Sequence, residues 1–420
     1  MPLPSALRAL RHRNFQLFFA GQLISLSGTW MQNIAQAWLV YRLTGSPALL
    51  GLVSFCGQGP VMFFSPLGGI IADRYNRHKI IMATQAASMV LAFVLAALTF
   101  SGEIRVWHIM LLAGVLGIVN AFDIPARQAF IMDMVGRADL MNAIALNSAI
   151  FNLSRVLGPA IAGILVASIG EAWCFLANAI SYVGVIAGLL LMKLVDRIAP
   201  PRAGNAIAAI VEGFRFVLGT PPIFALLALL GILSLTGMPF AVLMPVFADR
   251  ILHGGATGLG MLMGASGVGA LAGALMLASR TTVRGLGKWV AWAGMAFGSG
   301  LILFAVSRSF WLSAALMVAI GFSMMIEMGS SNTLIQTMSP DHLRGRIMSV
   351  YSMMFMGMAP FGALLAGLAA ERFGAPLAVA AGGAICLAGS GVFAFHLPSL
   401  RAEAGRLIVA QQAAAGDPPQ

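Results

Sequence analysis

Apolar runs of about twenty residues recur along this 420-residue chain, each closed by charge, proline or glycine, and that spacing limits the fold more than any motif does. About 20 apolar residues in helical form cross a hydrocarbon layer about 30 Å thick, where only a helix or a closed barrel can pair all its own backbone groups. Twelve such runs are found, at 15–40, 47–72, 80–100, 107–132, 140–168, 172–192, 222–247, 257–279, 288–306, 310–336, 345–370 and 376–396. Composition agrees: 59% of residues are hydrophobic, 9% are charged and the mean hydropathy is +0.90. Soluble domains are about half apolar and about a quarter charged. The expected fold is all-α, a polytopic membrane protein with 12 transmembrane helices.

The longest polar connection, 193–221, divides the runs six and six and carries Pro200-Pro201. Within it, Ile207, Ile210, Val211, Phe214 and Val217 share one helical face, which predicts a short amphipathic helix over 205–218. The expected organisation is an N-tail at 1–14, a six-helix half at 15–192, the central loop, a second half at 222–396 and a C-tail at 397–420. Of the 25 Lys and Arg, 19 fall on the side of the termini, 5 on the other, and Arg155 inside the fifth run. That bias places both termini in the cytoplasm and accounts for the net charge of +11 without a nucleic-acid partner. Arg8, Arg11 and Arg13 precede a first run too long for a signal-peptide core, so it reads as an uncleaved span. The halves echo each other: Gly158-Pro159 to Gly163 in the fifth run and Pro360 to Gly367 in the eleventh each follow a charged loop, one with Arg137 and Asp139, the other with Asp341, Arg344 and Arg346. Two related halves point to a transporter with a cavity at their interface.

Gln22, Ser25, Thr29, Asn33 and Gln36 recur at helical steps in the first run; Ser54, Gln58 and Ser65 follow in the second, and Ser148, Asn152 and Arg155 in the fifth. Polar side chains at membrane depth face protein or water, so they line a substrate cavity or bond helix to helix. Three ionisable groups lie within runs: Asp123, Arg155 and Glu327. Asp123 stands four residues before Arg127, a spacing that permits an ion pair. Glu327 has no cation near it, only Ser323 and Ser331 one turn to either side. A carboxyl so placed either carries protons or remains a silent hydrogen-bonded acid. Met324, Met325, Met328 and the group from Met348 to Met358, including Met354, give either an adaptable apolar binding face or core filler. Gly260, Gly264, Gly269 and Gly273 form two Gly-xxx-Gly pairs suited to close helix approach.

Enzyme chemistry finds little support. No nucleophile elbow, His-Glu-x-x-His or phosphate-cradling lysine loop occurs, and the six histidines are scattered near run ends. Cys56, Cys174 and Cys386 are far apart in apolar surroundings, which suggests neither a disulfide nor a metal site. No cofactor is expected. Without an ATP site, uphill transport would draw on an ion gradient.

The densest charge in the chain lies between the second and third runs, at Gly69-Ile-Ile-Ala-Asp73-Arg74-Tyr-Asn76-Arg77-His-Lys79. It resembles the loop 2/3 signature of the major facilitator superfamily, Gly-x-Leu-Ala-Asp-Arg-x-Gly-Arg-Lys, with Ile71 for Leu and Asn76 for Gly; Asn tolerates a left-handed turn better than most residues. Gly158-Pro159-x-x-Ala162-Gly163, preceded by Arg155, is similar to the family's antiporter signature. With the segments around Asp123 and Asn147, the whole chain looks like the branch that holds bacterial siderophore and macrolide exporters. The resemblance implies two pseudo-symmetric six-helix halves in a bacterial inner membrane, working as a monomer. It implies proton-driven export of a hydrophobic or amphipathic small molecule by alternating access, with Glu327 or Asp123 carrying the proton. It also implies that Asp73 caps the eleventh helix and that Arg77 pairs with Asp123 as a gate that includes Gly69, Arg74 and Arg127. The substrate cavity would draw on Gln22, Ser25, Thr29, Asn33, Gln36, Gln58, Asn152, Met324 and Met354. A lipid or lysophospholipid flippase of the same fold is the alternative, and a membrane enzyme or scaffold without transport a remote one.

Overall fold

A computed structural model describes residues 5–193, 206–280 and 282–415, and these are helical almost throughout. Pro200-Pro201 and the rest of 194–205 lie outside the described residues, as do the side chains of Arg137, Ile207 and Ile210. The helices are α1 Arg13–Thr44, α2 Pro47–Arg74, α3 Arg77–Phe100, α4 Val106–Gly136, α5 Ala138–Ile169, α6 Glu171–Leu190, α7 Ala206–Leu218, α8 Pro221–Ile251, α9 Gly255–Ala278, α10 Leu286–Val306, α11 Phe310–Met338, α12 Asp341–Phe373 and α13 Ala375–Ala415. Eleven of them, all but α1 and α7, are long and apolar enough to cross a membrane. At 32 residues α1 has the length, and its Gln, Ser, Thr and Asn residues are what dilute its apolar character.

Local sequence sets the boundaries. After α1, Gly45 takes a left-handed conformation at φ 63°, and Ser46 caps α2 by accepting from the Leu49 N–H at 3.3 Å, with Pro47 in the first turn. Gly136, at φ 70° and ψ 179°, breaks α4 from α5. The last helix runs on unbroken to Ala415, past Pro398, so most of the expected C-tail is helix. Arg401-Ala-Glu-Ala, just after the proline, consists of strong helix formers.

By which residues touch, the chain falls into two compact units: Met1–Ala203 with Pro245–Gly264, and Gly204–Met244 with Ala265–Gln420. Each unit is built on the same close crossings. In the first, a Cβ on Gly117 of α4 would lie 2.3 Å from the Gly57 carbonyl of α2. In the second, a Cβ on Gly321 of α11 would lie 1.9 Å from the Ser266 carbonyl of α9. Gly158 of α5 lies against Trp30 of α1, and Gly362 of α12 against Leu235 of α8, at 2.4 and 2.2 Å for the same hypothetical atom. Prolines prepare some of these contacts. Pro125 cannot donate to the Ala121 carbonyl, nor Pro239 to that of Leu235; Gly68 and Gly362 fit against those carbonyls, where a Cβ would come within 2.1 and 2.2 Å. Pro239 also accompanies the switch of α8 through a π turn at Leu233–Gly237 and a 3-10 turn at Met238–Leu243. The glycines of α9 divide their work: Gly260 meets Gly163 and Pro159 of α5, while Gly269 and Gly273 meet Val318 and Phe322 of α11.

The amphipathic helix of the central connection packs in the second unit. Gly213 lies on the Arg346 carbonyl and Glu212 pairs with the Arg346 guanidinium, which holds α7 to the start of α12.

Candidate functional site

The matching crossings fix a register between α4 and α11. Asp123 stands six residues after Gly117, and Glu327 six after Gly321. Both are buried, at 2% and 0% exposure. The residue one turn further on is Arg127 in α4 and Ser331 in α11. The two units therefore bury an acid at the same place and surround it differently.

Around Asp123 the polar groups close on one another. Its Oδ2 lies 2.9 Å from the Arg127 guanidinium, and its Oδ1 accepts from Thr84 Oγ1 at 2.7 Å and Gln85 Nε2 at 3.0 Å, both on α3. Arg127 donates in turn to Gln22 Oε1 on α1 at 2.8 Å. A buried charge is tolerable when it is paired and its remaining lone pairs accept hydrogen bonds, and this carboxylate has both.

Around Glu327 they do not close. Ser331 Oγ donates to its Oε1 at 3.0 Å, while the buried Oε2 has no partner among the described residues. Tyr351 of α12 and Cys386 of α13 lie within electrostatic reach, and no ion pair of Glu327 occurs among the described residues. The hydroxyls of Ser266, Ser330 and Ser390 in this unit are likewise buried without partners among the described residues. Burying an unpaired carboxylate is costly, and this one lacks the partners that Asp123 has.

The loop between α2 and α3 differs from the expected gate. Arg77 grips Asp133, with Nη1 3.1 and 3.0 Å from the two carboxylate oxygens, and donates to the Ala72 carbonyl at 3.2 Å. Asp123 lies ten residues earlier on α4 than Asp133, about 15 Å along a helix axis, and is already paired with Arg127. Asp73 is half exposed and 3.8 Å from Arg77, and Arg74 is exposed. Asn76 takes no left-handed turn. At φ −64° and ψ 112° it caps α3, accepting from the Lys79 N–H at 3.3 Å, a role its side chain performs and glycine could not. Gly69 has open space where a Cβ would go, and its neighbour Gly68 makes the close approach to α4.

The stripe on α1 divides by depth. Gln22 and Ser25 are buried, Thr29 donates to the Ser25 carbonyl at 2.9 Å, Gln36 is half-buried and Asn33 is exposed. Gln58 and Asn152 donate within their own helices, to Ser54 Oγ and the Ser148 carbonyl, both at 2.9 Å. Arg155 lies over the Trp30 ring at 5.9 Å. In the antiporter-like segment, Gly158 packs on α1, and a Cβ on Gly163 would lie 2.9 Å from the Gly260 Cα. Met324 is buried, and the Met354 sulfur lies 3.4 Å from where a Cβ on Gly231 would be. Sequence reasoning missed Asp133 and also Gln32, whose Oε1 accepts from Asn178 of α6 at 2.7 Å, one residue off the stripe. It missed Arg42 on Glu171 as well, a two-pronged pair at 2.7 and 3.2 Å joining α1 to α6. Among the described residues no cluster of side chains could hold a metal ion.

Known proteins resemble this chain over most of its length. The family model described as transmembrane secretion effector matches residues 4–413. The multidrug efflux pump Tap of Mycolicibacterium fortuitum is 30% identical over 89% of this chain and 93% of its own. The enterobactin exporter EntS of Salmonella typhi is 30% identical over 86% of each. In fold, a crystal structure of a mutant of the nucleoside transporter NupG superposes with a TM-score of 0.71 at 13% identity, covering 91% of this chain and 98% of that one.

Proposed function

From the premise that this chain belongs to the transmembrane secretion effector family of the major facilitator superfamily, we propose that it expels a hydrophobic or amphipathic small molecule in exchange for protons, by alternating access of its two halves. Multi-pass membrane transport is the family's work, and the chain is a transporter and not an enzyme. Export as the direction draws on the relatives, one an efflux pump and one an exporter. A bacterial inner membrane draws on the bacterial relatives, and both termini in the cytoplasm on the lysine and arginine bias. Action as a monomer is part of the same reading.

The observation that carries proton coupling is the state of Glu327: buried, with one carboxylate oxygen bonded to Ser331 and the other unpartnered. A proton on Glu327 removes the charge that the surroundings leave uncompensated, and its loss on the other side of the membrane would reset the carrier. Asp123, already held by a cation and two neutral donors, serves the fold of its half in this scheme. The polar residues Ser25, Thr29, Asn33, Gln36, Gln58 and Asn152 and the adaptable Met324 and Met354 would contact substrate, and Asp73 with Arg74 and Arg77 would gate the cycle.

The test uses purified protein in liposomes with an imposed pH gradient and a panel of dyes, antibiotics and siderophores. Glu327→Gln keeps the shape and the acceptor for Ser331, so the melting temperature should stay within about 2 °C of wild type while gradient-driven export is lost. Full coupled export by that variant removes Glu327 from the proton path.

A further inference from the structure

In the second unit, the start of α10 and the end of α13 enclose a cleft of about 300 Å³ that combines buried apolar side chains with exposed cations. Leu334 and Met338, 8% and 1% exposed, line it together with the exposed Arg284, Lys288 and Arg401, and among the described residues no acidic one takes part. None of these three cations has a carboxylate partner among the described residues. Arg280 nearby is committed elsewhere: it stacks on Trp289 at 4.3 Å and donates to the Arg284 carbonyl at 2.8 Å. Gly285 begins α10 with no side chain over its first N–H groups and lines the same cleft, which adds a favourable dipole for an anion.

A second groove of about 470 Å³ lies between α8 and α13 and shares Phe393 and Leu400 with the first. Apart from His396 its lining is wholly apolar, and along α13 it extends from Leu400 back to Gly389. Eleven residues of helix span about 16 Å, close to the half-thickness of a hydrocarbon core about 30 Å deep. Counting about 20 residues from Ala375 brings the membrane edge near His396, so Arg401 stands at the level of lipid headgroups while the groove runs into the chains.

We infer that this cleft and groove form a binding site for one anionic phospholipid, its phosphate against Arg284, Lys288 and Arg401 and its acyl chains along α13. Two apolar tracks meeting under three unpaired cations match the two chains and single charge of such a molecule. The site belongs to the cytoplasmic leaflet if the orientation proposed above is right, but the binding itself depends on neither that orientation nor transport.

Native mass spectrometry of the whole protein in detergent, titrated with phosphatidylglycerol or with phosphatidylcholine of the same chains, tests it. Cations at a membrane surface each contribute about fivefold to the retention of an anionic lipid. Wild type should hold one phosphatidylglycerol, and Arg284→Gln/Lys288→Gln/Arg401→Gln should weaken it about a hundredfold while leaving phosphatidylcholine adducts unchanged. Should the triple variant not fold, the three single variants carry the test, each about fivefold weaker. Equal retention of the two lipids by wild type overturns the site without any variant. So does phosphatidylglycerol binding that the substitutions leave intact, or that a transported compound displaces one for one, since the groove would then belong to the substrate path. Loss of transport by Glu327→Gln changes none of these readings, so the two proposals fail separately.

Discussion

Six residues after the glycine where α4 crosses α2, an aspartate is buried with an arginine one turn on; six after the glycine where α11 crosses α9, a glutamate is buried with a serine one turn on. Each unit keeps the crossing and the acid. What differs is the company. Asp123 has a cation and two neutral donors from a neighbouring helix, and its charge is matched inside the unit. Glu327 has one hydroxyl. A shared scaffold thus holds one acid whose charge is paired and another with a single hydroxyl for company, and the proposed proton exchange falls to the second. Part of the difference lies in a single helical turn, Arg127 against Ser331, and can be attacked there.

The largest effect is expected from unbalancing the first acid. Arg127→Gln leaves Asp123 charged in a buried site, and breaking such a pair costs about 3 to 5 kcal/mol, with Thr84 and Gln85 favouring the lower figure. Thermal melts in detergent should show a severe loss of folded protein, and Asp123→Asn combined with Arg127→Gln should recover most of it, because contacting partners do not add. A double variant as unstable as the single one would mean that the charge balance is not what holds this half. The crossings come next. A methyl on Gly117 or Gly321 would meet a backbone carbonyl at 2.3 or 1.9 Å, and neither helix can yield without moving its neighbours. Gly117→Ala and Gly321→Ala should each lower stability by about 1 to 3 kcal/mol. If one were silent, the register that equates Asp123 with Glu327 would fall.

Most of the architecture was legible because membrane helices announce themselves by run length alone. The limits given for the fourth and fifth runs agree with α4 and α5 to within a few residues. The antiporter-like segment and its counterpart around Pro360 also suggested two related halves. The match of Asp123 to Glu327 was written in the sequence as two Gly-to-acid intervals of six, yet nothing marked those glycines among 48 until their carbonyl contacts were seen. Gln32 was passed over because it stands one position off a regular stripe, and helical periodicity cannot tell that α1 has polar neighbours on two sides. The family's glycine at position 76 hides the capping chemistry of the Asn that stands there. The resemblance pairs Arg77 with Asp123, although an acid ten residues further along α4 lies where the guanidinium can reach it.

Arg77 thus has two acids of different character, and these allow the smallest but most discriminating experiment. Asp133 makes two charge-assisted bonds to a guanidinium that is only 19% exposed, joining the start of α3 to α4 within the first unit. Asp73 is 50% exposed and touches Arg77 only at 3.8 Å. A pair of the first kind contributes about 1 kcal/mol and one of the second close to nothing. Asp133→Asn should therefore lower the melting temperature by a few degrees with transport per folded molecule little changed. Asp73→Asn should leave melting unchanged, since its partner keeps the stronger acid, and any effect must come through the cycle: a several-fold lower maximal rate with substrate binding retained. Stability and switching would then separate between two carboxylates that share one arginine. Transport at the wild-type rate in Asp73→Asn would reduce Asp73 to a solvated surface charge and leave Arg77 with Asp133 as a purely structural clamp.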